Sequence, residues 1–179
     1  MNLLPFVKAE LQSSNTRKDH PFRYFYFSTL DTYPETRMVV SRGVSQELEV
    51  IFYTDSRTPK VDQIRKNDKV SALFYHPAKQ LQLRMNGKAH LIDKNDPSYA
   101  QHLNMVKSNA NWKQDYASQP VPGVPRKDEG TIIYGNTIHL LVIKIEPIEL
   151  DIVLLGEQQH HRSKCTLKNG VWEETGVVP

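Results

Sequence analysis

Gln80–Gly87 alternates without interruption. Leu81, Leu83 and Met85 stand at every second position, with Gln80, Gln82 and Arg84 between them. An extended chain turns successive side chains to opposite faces, so this pattern makes a strand with one buried face; a helical period would scatter it. Phe22–Thr29, Arg37–Arg42, Leu48–Thr54, Val70–His76, His139–Ile145 and Glu149–Leu155 also read as strands, with Pro147 bending the chain between the last two. His161–Leu167 and Val171–Thr175 read as a hairpin around Asn169-Gly170, a strong turn pair. Helical spacing is confined to residues 3–13 (Leu3, Leu4, Val7, Leu11), 59–66 (Val61, Ile64) and 95–107 (Tyr99, Leu103, Val106). Many short strands with few helices predict a mainly β fold, an antiparallel barrel or sandwich. Leu48–Thr54 is apolar on both faces, which suits a barrel strand with a helix or another subunit outside it.

The 179 residues suffice for one domain, 1–179, with a helix and linker over 1–20 and an irregular proline-rich stretch over 108–136 that includes Ser118–Pro125. Hydrophobic content of 39% and charged content of 24% describe a globular chain, not a disordered one. A net charge of +3 is mildly basic and does not require nucleic acid. No apolar run approaches the roughly 20 residues of a membrane helix. Met1–Phe6 lacks the basic start and apolar core of a secretory signal, so the expectation is a cytoplasmic protein with no membrane partner. One cysteine, Cys165, allows no internal disulfide.

Cations gather around a single turn. Phe52-Tyr53-Thr54-Asp55-Ser56-Arg57 ends a strand, Thr58 is a good N-cap, and Pro59 stands at the first helical position, where a missing N–H costs nothing. A helix start offers free N–H groups and the positive end of the helix dipole. Ser56, Arg57 and Lys60 surround it, with Arg37 and Arg42 on the preceding strand. Two readings stand: a solvated basic turn, or a site for a dianionic phosphate carried by a larger molecule.

Other constellations are weaker. Adjacent His160 and His161 point to opposite faces of a strand and chelate poorly, even with Cys165 nearby, so no metal site is assigned. Neither a Gly-rich phosphate loop nor a nucleophile elbow is present. The aromatic run Phe22–Phe27 beside Arg17, Lys18 and Arg23 leaves a single-strand nucleic-acid barrel as a distant alternative, because alternating aromatics more often form core.

The order Arg37-Met38-Val39-Val40, Phe52-Tyr53-Thr54, Ser56-Arg57, Lys60, Gln82 before Gly87-Lys88-Ala89, and a terminal His160-His161-Arg162 with Trp172 and Pro179 resembles the pyridoxamine 5'-phosphate oxidase-like flavoproteins, in their uncharacterised branch. The resemblance spans roughly residues 20–92 and 138–179. It implies an antiparallel split β-barrel, a homodimer, and FMN held at the subunit interface. It assigns Arg37, followed by Met38, Val39 and Val40, to the flavin phosphate strand, and Arg42 to the surroundings of the ring and substrate. Tyr53 and Thr54 would hold the flavin through backbone and hydroxyl, and Ser56, Arg57 and Lys60 would hold the phosphate. Gln82 would arrive from the partner subunit, Arg162 would be the cofactor-binding arginine of the terminal motif, and His160, its first member, would face substrate. Residue chemistry agrees: a phosphate near −2 suits cations and helix N–H groups, and Gln82 carries the donor and acceptor that a polar ring edge requires.

The departures bear on substrate. The oxidase has a tryptophan shortly after an Ile-Glu pair where this chain reads Leu150-Asp151, and an arginine two residues before the motif's histidine where it reads Gln158-Gln159-His160. Ser118–Pro125 replaces the usual substrate-binding helix pattern, with Ser118 or Gln119 in reach of FMN. The expectation is an FMN-dependent oxidoreductase acting on a small molecule that the sequence does not identify, with pyridoxamine phosphate disfavoured. The alternatives are a non-catalytic flavin-binding or redox-sensing protein and the nucleic-acid-binding barrel.

Overall fold

The computed structural model describes residues 1–125 and 131–179; the part of the proline-rich stretch at 126–130 lies outside the described residues. In chain order the elements are α1 (Leu4–Ser13), β1 (Tyr24–Leu30), β2 (Pro34–Val44), β3 (Val50–Asp55), α2 (Pro59–Lys66), β4 (Lys69–His76), β5 (Leu81–Ile92), α3 (Tyr99–Lys107), α4 (Ala110–Asp115), β6 (Leu140–Leu154), β7 (His161–Lys168) and β8 (Val171–Val177).

The strands form one antiparallel sheet in the order β3-β2-β1-β4-β5-β6-β7-β8, and β3 pairs again with β6. That second pairing closes β1 to β6 into a six-stranded barrel. The 15-residue β6 serves two neighbours. Its first half pairs with β3, from Leu140↔Asp55 to Ile145↔Val50, and its second half pairs with β7, from Glu149↔Thr166 to Leu154↔His161. The barrel splits where β6 changes partner.

Pro147 does not interrupt β6, against the two-strand reading of this stretch. Its missing N–H falls opposite Gly87, where the register with β5 shifts. A Cβ on Gly87 would lie 2.2 Å from the Glu146 carbonyl oxygen, so only glycine permits this approach.

Phenylalanines fill the barrel. Phe25 stacks on Phe74 at 4.8 Å between ring centroids, and Phe52 lies 5.7 Å from Phe25 and 4.7 Å from Phe27. Phe25 and Phe27 therefore leave no stacking surface for a nucleic-acid base, while the alternating Tyr24 and Tyr26 turn outward.

α1 lies where β1 begins, with Leu3, Val7 and Leu11 fully buried in the same core. α2 lies where β1 ends, burying Val61 and Ile64. Outside the barrel, α3 and α4 pack on β3, β6 and the end of β5 through Tyr53, Ile92, Val106, Tyr116, Leu140 and Val142.

Two expectations need correction here. The helix read from Asn95, α3, begins at Tyr99, because the Asp96 carboxylate accepts from the Ser98 N–H at 2.8 Å and hydroxyl at 2.6 Å and holds a turn ahead of it. Within the stretch read as irregular, Ala110–Asp115 forms α4, with the Asn109 side chain accepting from the Trp112 N–H.

Candidate functional site

The mouth of the barrel at α2 gathers the polar groups. Arg37 is on the inward-facing row of β2, opposite Phe27. Its Nη1 donates to the Thr29 hydroxyl at 2.7 Å and the Glu35 carbonyl at 2.9 Å; its Nη2 donates to the Glu35 carboxylate at 2.9 Å and to Gln63 Oε1 at 3.3 Å. Lys60 Nζ donates to the Thr54 hydroxyl at 3.1 Å.

Burial first, and the neighbouring Arg37 charge second, push the Lys60 ammonium down to about 8, with Asp55 opposing. Burial also lowers Arg37, with Glu35 opposing. Two cations thus crowd one partly buried corner. α2 opens on it with Pro59, and the Thr58 hydroxyl makes no cap bond, donating instead to the Asp55 carbonyl at 2.8 Å. Like charges beside uncapped helix N–H groups fit an anion.

The other assigned residues divide. Thr54 joins Arg37 and Lys60. Arg57 turns away from them: Nε and Nη2 clasp Asp55 at 3.0 and 2.6 Å, and the remaining N–H groups reach the Ser118 and Gln119 carbonyls at 2.8 and 3.3 Å. Arg57 therefore ties the 118–119 loop to the turn. Ser56 joins the same turn through its backbone N–H, which donates to the His139 carbonyl at 2.7 Å.

Met38 is exposed on the outer face of β2, Val40 is half-buried, and Val39 packs against the core. Tyr53 points outward, its hydroxyl 2.9 Å from His102 Nδ1, so its side chain faces the helical layer and its backbone faces the turn. Arg42 stacks against Trp112 at 4.1 Å and Tyr53 at 5.6 Å from the ring centroids; its buried Nε has no hydrogen-bond partner among the described residues.

Gln82 and Arg162 stand far around the sheet from Arg37. They flank Val153 in register, with Gln82↔Val153↔Arg162. Gln82 is exposed, and Arg162 pairs with Asp151 at 3.0 and 2.8 Å. His160 is exposed in the turn before β7, its Nδ1 accepting from the Gly156 N–H at 3.3 Å. One chain does not bring Gln82, His160 and Arg162 to the corner held by Arg37 and Lys60.

Sequence reading missed Thr29, Gln63, Trp112, Tyr116 and Asp151. Gln63 carried a faint signal, one helical turn after Lys60; Trp112 and Tyr116 carried none, since only the packing of α4 brings them to Arg42.

A second polar cluster is not a metal centre. His20 Nε2 lies 3.1 Å and His76 Nε2 3.7 Å from Glu10 Oε2, and Lys79 donates to Glu10 Oε1. The His20 and His76 Nδ1 atoms accept from the Phe22 and Lys79 backbone N–H groups at 3.1 and 3.3 Å. That leaves the protons on both Nε2 atoms, aimed at the carboxylate, where a metal would need lone pairs.

A closed six-stranded antiparallel barrel that splits along its sixth strand, with a cationic mouth under a helix start, defines the split-barrel class. Residues 4–93 match the family described as pyridoxamine 5'-phosphate oxidase, FMN-binding domain, and the chain belongs to that family. A comparison with curated proteins found no match. Among solved structures, a pyridoxamine 5'-phosphate oxidase-related FMN-binding protein from Nostoc punctiforme has a TM-score of 0.78 at 21% identity, over 100% of this chain and 98% of that one. PhzG from Burkholderia lata, solved with tetrahydrophenazine-1-carboxylic acid, has a TM-score of 0.75 at 14% identity, over 98% and 92%. General Stress Protein 26 from Bacillus anthracis has a TM-score of 0.53 at 16% identity, over 82% and 92%. At these identities the likeness concerns the fold. No helix among the described residues is long and apolar enough to cross a membrane.

Proposed function

We infer that this chain is an FMN-dependent oxidoreductase working as a homodimer on a small-molecule substrate. The observation that carries the reading is the convergence of Arg37 and Lys60 under the start of α2, two neighbouring cations in one partly buried corner, where the Glu35 carboxylate pairs with Arg37 alone. FMN would supply hydride and electron transfer. Arg37, Lys60, Thr54 and the α2 N–H groups would hold its phosphate, and Ser56 would line the same turn. The outer face of Met38–Val40 and the Tyr53 backbone would lie along the flavin. Gln82 and Arg162 would come from the second copy.

Substrate would enter beside Arg42, whose place against Trp112 makes it a fixed cation rather than a mobile one. Gln158 and Gln159 provide no charge for a substrate phosphate, which disfavours pyridoxamine 5'-phosphate. A flavin-binding protein without catalysis is the second reading, favoured by the exposure of His160 and the engagement of Arg42 with aromatic rings.

The visible absorption spectrum of the purified protein, followed by FMN titration, tests the first reading. Yellow protein is expected, and Arg37→Ala and Lys60→Ala should each weaken FMN about ten- to a hundredfold, as loss of a charged hydrogen bond does. Unchanged affinity in both variants would show that the phosphate lies elsewhere. Oxygen-dependent turnover of pyridoxamine 5'-phosphate, or oxidation of a reduced nicotinamide, then separates enzyme from carrier.

A further inference from the structure

Asp151 stands on the outward face of the β5–β6–β7 sheet, yet it is only 8% exposed, because arginines cover it from both sides. Arg162 closes on it with two parallel bonds, Nε to Oδ1 at 3.0 Å and Nη2 to Oδ2 at 2.8 Å. From β5, Arg84 donates Nη2 to Oδ2 at 2.6 Å. These bonds hold the Asp151 carboxyl below its usual range, so it is an anion at neutral pH.

The forked pair has two consequences. It fixes the plane of the Arg162 guanidinium, since two parallel bonds forbid rotation about Cζ. It also leaves Nη1 as the edge without a hydrogen-bond partner among the described residues, on a cation whose charge is offset in part by a carboxylate it shares with Arg84. With a carboxylate already beside it, such an edge suits a neutral carbonyl acceptor better than a second anion. Gln82 lies two strand spacings away, about 10 Å, across Val153 on the same face. Together the two side chains fit a planar ring edge that alternates carbonyl and N–H groups.

We propose that Asp151 is a positioning residue that aims Arg162 at the carbonyl edge of the flavin bound by the neighbouring copy and that, by offsetting part of its charge, tunes the reduction potential of that flavin. The proposal rests on the FMN-dimer reading above. Reduction places negative charge on the ring, so a bare arginine at its edge favours the reduced form, and a bare carboxylate disfavours it.

The test is the midpoint potential of the FMN-loaded protein, from dithionite titration against a reference dye, with FMN dissociation constants alongside. Asp151→Asn uncovers Arg162 and should raise the preference for reduced over oxidised FMN about tenfold, or ~30 mV for a two-electron couple. Arg162→Gln leaves Asp151 held by Arg84 alone and should move the potential downward, with FMN bound roughly tenfold more weakly. Opposite shifts are the signature, because a merely loosened fold would move both variants the same way. If Asp151→Asn does not fold, Arg162→Gln decides: a potential that stays put or rises overturns the proposal. Two variants that shift together, or not at all, in a protein that binds FMN normally overturn it and leave the FMN reading intact. Failure of the wild-type protein to bind FMN overturns both.

Discussion

At Lys60 the corner's electrostatics become measurable. Burial and Arg37 bring its pKa to about 8 in the ligand-free protein. A phosphate dianion restores the charged form, so binding above that pH requires proton uptake and weakens as pH rises. At the acidic side, the ligand's second phosphate pKa near 6 removes one of its charges. FMN affinity is therefore expected to plateau between about 6 and 8, falling up to tenfold per pH unit above the plateau. Titrations at several pH values check this, and Lys60→Arg, which keeps its proton throughout, should abolish the alkaline fall. Residue-scale detail also separates Arg57 from Lys60, neighbours that the sequence offers as equals. The Asp55 carboxylate claims Arg57 and leaves Lys60 facing Arg37.

Among the elements, α1 depends most on polar contacts. Its first N–H groups meet the Glu174 carboxylate, with Leu3 N at 2.7 Å, and its last turn is held through Glu10 by His20, His76 and Lys79. Burial, Lys79 and His20 push His76 down, with Glu10 opposing. For Glu10, burial pushes up, but hydrogen bonds from Lys79 and His20 outweigh it and hold the carboxyl low. Both folded values lie below the unfolded ones, so both contributions are complete above the unfolded pKa and are lost as pH falls through the folded one. Loosening of α1 should thus begin as pH drops below about 6.5 and deepen below about 4.5. Thermal melts across this range are expected to lose several degrees, with a flatter upper part in His76→Gln; equal slopes would remove His76 from the account.

At the scale of the whole molecule, one outer barrel face is unusually apolar for a surface. Tyr24, Tyr26, Met38 and Tyr75 are 51, 49, 62 and 44% exposed, and Tyr26 pairs with both Met38 and Leu73. The face continues in register into Gln82 and Arg162. A second copy seated there, burying the roughly 800 Å² per partner of a stable interface, would bring those two side chains to the corner that one chain leaves incomplete. Tyr26→Glu is expected to yield monomers in sedimentation and to weaken FMN in parallel. A monomeric wild-type protein that binds FMN tightly would defeat the arrangement.

Period-two alternation, the Asn169-Gly170 turn and the Thr58-Pro59 helix start are local properties. Neighbours in the chain create them, and they were sufficient to predict strands, the hairpin, α2 and the cations beside it. Which strand meets which is a long-range matter. The β3–β6 pairing that closes the barrel, the uninterrupted passage of β6 past Gly87, and the burial of the Phe25 side of the aromatic run were decided by packing. The same holds for Arg42 against Trp112 and for Asp151 between Arg84 and Arg162. Each joins residues from distant elements, and no local period records a partner that only the folded chain brings within reach.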